Sequence, residues 1–454
     1  MPKKKTALTI EERLQQALVP AEEQPYKVPE NWVWVRLGAF AETISKGTTP
    51  KGGSAAYVDE GVNFLRVENL TGEGYISHSK ITHITEEMHE NYLKRSILKA
   101  NDLLISIAGS LGKSAIVREC DLPINTNQAI AFVRLFADKI DVNYIRNTIE
   151  SPLINSVLTK QTKVTSIPNL TLEIIKDCPI PLPPLSEQQR IVERIEELFA
   201  KLDEAKERLQ EVADSFAVRK AAILHKAFTG ELTQQWRCEN GVSDESWEEK
   251  KFSEVAVIKS NLVSPFDYLD YPHIAPDSIE KFTGRLLSYR TIREDNVKSP
   301  KHLFYKGQIL YSKIRPYLSK AIIADVDGLC SADMYPIEAL CNTKYLLKYM
   351  LSTEFLEQST TAGSRSLLPK INQKELSSIS VPLPTLSEQH EIVRLIDDLL
   401  ARERKAQQAA EQALASIDLM KKSILARAFR GELGTNKASE ASALELLKQV
   451  LAEG

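Results

Sequence analysis

The sequence predicts an α+β chain in which two units of mixed pattern alternate with two long helical rods. Three observations predict it: a motif set that recurs at a fixed offset, a heptad spacing inside each copy, and short apolar strand-like runs ahead of each copy. Ile180-Pro-Leu-Pro-Pro-Leu-Ser-Glu-Gln188 returns as Val381-Pro-Leu-Pro-Thr-Leu-Ser-Glu-Gln389. Ala227-Phe-Thr-Gly-Glu-Leu232 returns as Ala428-Phe-Arg-Gly-Glu-Leu433. Both pairs are offset by 201 residues, so the 53 residues from 180 to 232 realign without a gap.

Each copy reads as a proline-stiffened lead-in followed by a long helix. Pro181, Pro183 and Pro184 cannot sit inside a helix, so the chain arrives extended. Ser186 is the expected N-cap, with Gln189 completing a capping box; the second copy keeps Ser387 but has His390 at the third position, a weaker box. Gly230 and Gly431 stand where the helices should stop. In the first copy a coiled-coil seam runs Ile191, Ile195, Leu198, Leu202, Ala205, Leu209, Val212, Phe216, then Ile223 after a break at Arg219. In the second it runs Ile392, Ile396, Leu399, Glu403, Ala406, Ala410, Ala413, Ile417, Met420, Ile424. The small middle of the second seam suits a bulky partner, so the two helices are expected to pack together. Forty residues at about 1.5 Å each would make a rod of about 60 Å. An ordinary helical bundle core is the blander reading.

The units ahead of the rods resemble each other only in skeleton. Each opens with a tryptophan, Trp34 and Trp247, and each has a strand ending in Ser and followed by basic residues. These strands are Asp102-Leu-Leu-Ile-Ser106, before Lys113, and Gly307-Gln-Ile-Leu-Tyr-Ser312, before Lys313 and Arg315. Each unit closes on a proline, Pro168 and Pro369, again 201 apart. The expected division is 1–26, an N-terminal extension with a short helix capped by Thr9 and Glu12; 27–179, the first unit; 180–232, the first rod; 233–380, the second unit; 381–433, the second rod; and 434–454, a tail with a helix around Ser442–Leu451.

Composition excludes several classes. The chain has 454 residues, 43% hydrophobic and 26% charged, an ordinary globular balance with length for several cores. No apolar run approaches a membrane span and the start is no signal core, so no membrane is expected. Cys120, Cys178, Cys238, Cys330 and Cys341 are scattered and form no C-x-x-C, which points to a reduced cytoplasm. The formal charge is -3, and neither unit is basic as a whole. Between Lys281 and Lys320, however, ten basic residues face only Glu294 and Asp295, with Tyr289, Tyr305, Tyr311 and Tyr317 interleaved. Such a stretch fits phosphate contact and stacking. The candidates there are Arg285, Arg290, Arg293, Lys298, Lys301, Lys313, Arg315, Tyr317 and Lys320. The first unit offers two turn-rich basic loops, with Lys46, Thr48 and Lys51 in one and Ser110 and Lys113 in the other. Asn125, Asn127 and Gln128 carry amides able to pair with adenine edges.

Catalytic motifs fail their own tests. Gly112-Lys113-Ser114 lacks the glycine a phosphate loop needs five residues earlier, where Ile107 stands. Asp203-Glu204-Ala205-Lys206 lies inside the rod and reads as a charged helix face. His78, His83 and His89 lack metal-ligand company. No catalytic residue and no metal ligand is assigned.

This organisation resembles the specificity subunit of type I restriction–modification systems. The carrying residues are Val28-Pro-Glu-Asn-Trp32 through Leu37-Gly38, the two Pro-Leu-Pro-x-Leu-Ser-Glu-Gln lead-ins, and the paired Phe-x-Gly-Glu-Leu exits, the first continuing as Thr233-Gln-Gln-Trp-Arg237. The resemblance implies two α/β target-recognition domains, each binding one half of a bipartite site in double-stranded DNA, and two helical repeats packed as an antiparallel coiled coil that acts as a ruler. It also implies two modification subunits as partners and recruitment of restriction subunits. S-adenosylmethionine, ATP and Mg would belong to those partners, with no cofactor in this chain. The competing readings are a coiled-coil scaffold joining two protein-binding domains, and a self-sufficient nuclease or methyltransferase.

Overall fold

The computed structural model describes residues 9–72, 74–136, 139–160, 170–362 and 369–453. The chain divides into two units, Met1–Glu207 with Leu414–Gly454, and Arg208–Ala413. Both divisions fall inside long helices. Each unit therefore contains the first part of one rod and the last part of the other.

The first unit begins with α1 (Ile10–Ala17), where Thr9 Oγ1 accepts from the Glu12 N–H (3.2 Å) and the Glu12 carboxylate accepts from the Thr9 N–H (2.8 Å). The strands that follow are β1 (Val33–Arg36), β2 (Ala41–Lys46), β3 (Val62–Leu65), β4 (Thr82–Ile84), β5 (Leu103–Ser106), β6 (Ser114–Ile116), β7 (Ile124–Thr126) and β8 (Ile130–Leu135). Then come α2 (Val142–Glu150), α3 (Pro152–Lys160), α4 (Leu172–Lys176), β9 (Pro179–Leu182) and the rod helix α5 (Leu185–Asp214). Among the described residues the strands form a sheet in the order β2-β8-β5-β6, a smaller sheet β4-β3-β7, and a ribbon β1-β9. β5 is buried at every position, as its continuous apolar run requires. The proline-rich lead-in becomes β9, antiparallel to β1 with Trp34 opposite Pro181. Proline is tolerated there because a two-stranded ribbon leaves one edge free of ladder bonds. Leu103, Ile105, Val133, Tyr144 and Ile149 share one core with Phe429 and Leu447.

The second unit repeats this plan. Its elements are α6 (Phe216–Phe228), α7 (Gln234–Asn240), β10 (Glu248–Lys251), α8 (Phe252–Val255), β11 (Ala256–Ile258), β12 (Leu262–Val263), β13 (Pro272–Ile274), β14 (Arg290–Thr291), β15 (Lys301–Phe304) and β16 (Ile309–Ser312). They continue with β17 (Ala321–Ile323), β18 (Gly328–Cys330), β19 (Met334–Ala339), α9 (Thr343–Met350), α10 (Thr353–Ala362), α11 (Gln373–Ser377), β20 (Ser380–Leu383) and the rod helix α12 (Leu386–Ala428). The sheet β11-β19-β16-β17 matches β2-β8-β5-β6, and the ribbon β10-β20 matches β1-β9. In the other sheet β13 runs parallel to β18 as β3 does to β7, and β12 and β15 are additions. The tail helix α13 (Ala443–Glu453) belongs to the first unit, where it packs near α1 and donates the Ala443 N–H to the Asn31 carbonyl (2.9 Å).

The rods run antiparallel, a direction visible inside each unit. In the first, Arg190 pairs with Glu440 (2.8 Å), in the tail just past the second rod, and Asp203 with Lys421 on that rod (2.6 Å), so rising positions on α5 meet falling positions of the later segment. In the second, Arg219 pairs with Glu403 (2.6 Å), and Arg237, on α7 just past the first rod, with Glu388 (2.8 Å).

Several expectations about the rods are corrected. Ser186 and Ser387 are not N-caps: the helices begin one residue earlier, at Leu185 and Leu386. The Pro184 carbonyl takes the Gln188 N–H (3.0 Å), and Thr385 Oγ1 takes the Glu388 N–H (3.4 Å), so neither serine has a capping box to make. Gly230 and Gly431 do stand at the stops, in left-handed conformation at φ 81° and 75°. The first rod breaks at Ser215, between α5 and α6, four residues before Arg219; α12 is continuous over 43 residues. Along the expected seam Ile191, Ile195, Ile392, Ile396 and Ile417 are buried, whereas Leu198, Leu202, Leu209, Phe216, Leu399 and Ile424 are half-buried. Val212 is 41% exposed and Met420 50% exposed, while Leu400 and Leu425 are buried instead. A straight helix drifts from a strict heptad, which moves burial one position along.

Candidate nucleic-acid interface

Strand register sets where the candidate side chains lie. Lys46, at the end of β2, is opposite Ala131; Ser106, at the end of β5, is opposite Ile130; and Ile105 is opposite Ser114 at the start of β6. The loop after β2, the β5–β6 turn and the β7–β8 turn therefore share one end of the sheet. Lys46, Thr48, Lys51, Ser110, Lys113, Asn127 and Gln128 all belong to these three loops. The loops are tied to one another. The Thr48 N–H donates to the Thr126 carbonyl (3.1 Å) and the Ile107 N–H to the Ala129 carbonyl (2.9 Å). Gly47 is required there, since a Cβ would lie 2.2 Å from the Thr126 and Asn127 carbonyl oxygens.

Within this cluster the side chains differ in freedom. Lys46, Ser110 and Gln128 are exposed, and Lys51 sits over the Tyr92 ring at 5.2 Å. Thr48 Oγ1 accepts from Arg95 (3.5 Å), and Lys113 reaches the Leu70 carbonyl (3.4 Å). Asn127 Oδ1 caps its own turn through the Ala129 N–H (3.1 Å). Asn125, expected to face a base edge, is instead fully buried, with its amide committed to His89 and the Leu93 carbonyl and its oxygen to the Thr126 N–H. A parallel pairing with β3 turns it inward, which the sequence does not reveal. Below the cluster, buried Asp102 takes two bonds from Arg134 (2.8 and 2.6 Å) beside the start of β5. Burial pushes its carboxyl above the usual range, with Arg134 opposing.

The second unit builds the equivalent end from β16–β17 and β18–β19. The Ser312 N–H donates to the Lys320 carbonyl (3.0 Å) as Ser106 does to Lys113 (2.9 Å). The Lys313 N–H donates to the Asp333 carbonyl (2.9 Å) as Ile107 does to Ala129. The Ser331 N–H donates to the Ile274 carbonyl (2.9 Å) as Asn127 does to Leu65 (3.2 Å). Lys313, Arg315, Tyr317 and Lys320 lie on the β16–β17 turn. Arg315 and Ser319 are both left-handed, at φ 49° and 43°, a conformation that costs a residue with a Cβ of order 1–2 kcal/mol. Side chains and backbone hold the turn: Ser312 Oγ donates to the Ile314 carbonyl (3.0 Å), Ser319 Oγ to the Met350 carbonyl (3.1 Å), and the Arg315 N–H to the Pro369 carbonyl (2.8 Å). Arg315 and Tyr317 are exposed, whereas Lys313 lies over Tyr335 at 5.1 Å and Lys320 donates to the Pro276 carbonyl (2.7 Å).

The rest of the basic stretch is not gathered at that end. Arg285, Arg290 and Lys298 are exposed, with Arg290 on the outer strand β14 of the other sheet. Arg293 is exposed and pairs with the exposed Asp270 (3.0 Å). One candidate there is corrected: Lys301 is buried, with its ammonium on Ser299 (2.6 Å). Burial also holds the Lys301 amine below its usual range. Tyr311, read as one of the interleaved aromatics, is a core residue at 1% exposure. Pro168 lies outside the described residues. A screen for basic residues passes over Asp333, a half-exposed carboxylate on the β18–β19 turn beside Lys370 (3.3 Å). Its place follows from the register alone.

Two equivalent heads on a duplicated helical frame, each with polar side chains at one sheet end, define a two-site binding protein. The described residues hold no group of His, Cys, Asp and Glu arranged for a metal ion. The type I restriction modification DNA specificity domain matches residues 29–214 and 244–412, and the chain belongs to that family. It is 40% identical over 325 residues to the type I restriction enzyme EcoDI specificity subunit of Escherichia coli, covering 65% of this chain and 73% of that one. It is 25% identical to the StySPI specificity subunit of Salmonella potsdam, over 94% of this chain and 96% of that one. The fold is shared with the HsdS subunit from Thermoanaerobacter tengcongensis, at TM-score 0.61 and 19% identity over 90% of this chain and all of that one. A second solved chain, from work on complex assembly and conformational transition of the type I R-M system, gives TM-score 0.66 and 20% identity over 90% of this chain and all of that one.

Proposed function

We propose that this chain is the DNA-specificity subunit of a type I restriction–modification complex, with residues 27–179 and 233–380 each reading one half of a bipartite site. The rods 180–232 and 381–433 set the spacing between the halves and dock two modification subunits, and restriction subunits join that assembly. The observation that carries this is the pair of heads with one topology and divergent turns, each built on the same repeated frame. A duplicated frame gives two sites at fixed separation, and divergent turns give two different sequences to read. The extension 1–26 and tail 434–454 complete the frame of the first head. The chain supplies no chemistry of its own; S-adenosylmethionine, ATP and Mg act on the partner subunits, in the cytoplasm. Among the described residues no helix is long and apolar enough to cross a membrane.

A gel shift tests this against the scaffold reading. The chain with its modification partner should bind duplex DNA, and the chain alone with S-adenosylmethionine and DNA should give no methylated product. No shift under any combination would favour the scaffold, and product from the chain alone would make it an enzyme.

A further inference from the structure

The two sheet ends differ in a way that separates base reading from phosphate contact, an inference that rests on the function proposed above. We propose that in each head the bases are read by the β5–β6 and β7–β8 turns, or their counterparts β16–β17 and β18–β19, and that the exposed basic residues elsewhere contact only phosphates. Gln128 in the first head, and Arg315 with Asp333 in the second, are the side chains that contact base edges.

Backbone and side chain point the same way. The two turns of each head are joined by equivalent hydrogen bonds, Ile107 to Ala129 and Lys313 to Asp333, so the same scaffold is presented twice. The side chains on it are unlike: Asn127-Gln128-Ala129 in one head and Ser331-Ala332-Asp333 in the other. Reading two half-sites requires this combination of fixed geometry and changed hydrogen-bonding groups. Gln128 offers an amide, whose donor and acceptor match adenine N7 and N6. Arg315 offers a fork that matches guanine O6 and N7, and Asp333 an acceptor for cytosine N4. Base reading needs a side chain held in one direction. Arg315 issues from a left-handed residue whose N–H is fixed on the Pro369 carbonyl, in a turn that Ser312 Oγ and Ser319 Oγ also hold through the Ile314 and Met350 carbonyls. Among the described residues no carboxylate pairs with it. Arg290 lies outside those turns, on an outer strand of the other sheet, and a phosphate needs only charge within reach.

The experiment uses the full chain assembled with its modification partner. A duplex library randomised across both half-sites is selected, and affinity for the selected and for random DNA is followed against salt. Gln128→Ala should lose about ten-fold preference at one base pair of one half-site, and Arg315→Ala about as much at one base pair of the other. Neither should change the salt slope. Arg315→Lys, which keeps the charge and loses the planar fork, should lose part of that preference. Asp333→Ala should relax a different pair in the second half. Arg290→Ala should weaken selected and random DNA alike and lower the slope by about one. Full preference in Arg315→Lys, or equal weakening on both DNAs by Gln128→Ala and Arg315→Ala, overturns the assignment. If the unaltered complex selects no bipartite sequence, the specificity function itself falls and this inference with it.

Discussion

Tyr144 and Phe429 stack edge-to-face at 5.4 Å and 68°, and Tyr345 and Phe228 do the same at 5.4 Å and 67°. The two tyrosines are 201 residues apart, as are the two phenylalanines, but the pairing is crossed. The tyrosine of the first head meets the exit of the second rod, and the tyrosine of the second head meets the exit of the first. Each phenolic O–H donates to the carbonyl of the proline lead-in, Pro181 or Pro382. One aromatic contact therefore joins head, lead-in and exit in each unit.

Removing either ring should be costly. Phe429→Ala and Phe228→Ala each delete a buried aromatic side chain, and about 3–5 kcal/mol of stability should go with it. Tyr144→Phe keeps the ring and leaves the Pro181 carbonyl short of a donor, for about 1 kcal/mol. Urea unfolding midpoints check the order.

Arg237 and Glu388 form a buried pair, 8% and 0% exposed, joined by Thr233 Oγ1 at 2.6 Å. Arg237→Ala leaves that carboxylate uncompensated and should cost about 3–5 kcal/mol. Arg219 and Glu403 bridge the rods at 35% and 24% exposure, and Arg219→Ala should cost no more than about 1 kcal/mol. Double-mutant cycles at low and high salt separate the two cases: only the Arg219 pair should weaken as salt rises.

Glu187 occupies in the first unit the place Glu388 holds in the second, receiving hydrogen bonds from Trp32 Nε1 (2.8 Å) and Asn436 Nδ2 (2.9 Å). Burial pushes its carboxyl above the usual range despite those bonds. A raised acid binds its proton more tightly when folded, so its ionised form costs stability at neutral pH and the cost vanishes below the unfolded value. Glu187→Gln, whose amide oxygen can still accept, should match or exceed the natural chain in melting temperature at pH 7. That advantage should shrink at pH 5. A growing advantage on acidification would reverse the sign.

Val218 and Leu419 are 71% and 67% exposed, the most exposed large apolar residues on the described rods, and are again 201 apart. Equivalent apolar positions on a duplicated frame suit two copies of one partner. Val218→Glu or Leu419→Glu alone should leave one modification subunit bound, and the double variant none, as read by mass of the assembled complex.

The legibility of the sequence followed the repeat. Closely matching motifs at 201 residues located both rods, but the equivalence begins earlier than position 180. Asp141 and Asn342 both cap helices, α2 and α9, and their N–H groups donate to Gln188 and Gln389 (3.0 and 2.9 Å). The matched Tyr144 and Tyr345 could have signalled this, since they share the offset. Seam positions were readable near Ile191 and Ile392, which belong to the cores of the heads, and less so at Val212, which is exposed. Charge counting gathered the buried Lys301 together with the exposed Arg315, because a linear stretch does not show which cations are buried. Asn125 and Asp333 depended on strand register, which short strands do not announce.

The most direct test of the two-head function is an exchange of residues 27–179 for those of a relative, followed by methylome sequencing of cells carrying the chimera and its modification subunits. One half of the modified site should change, with the other half and the spacing between them retained. A chimera that folds and methylates but alters both halves, or neither, would contradict it.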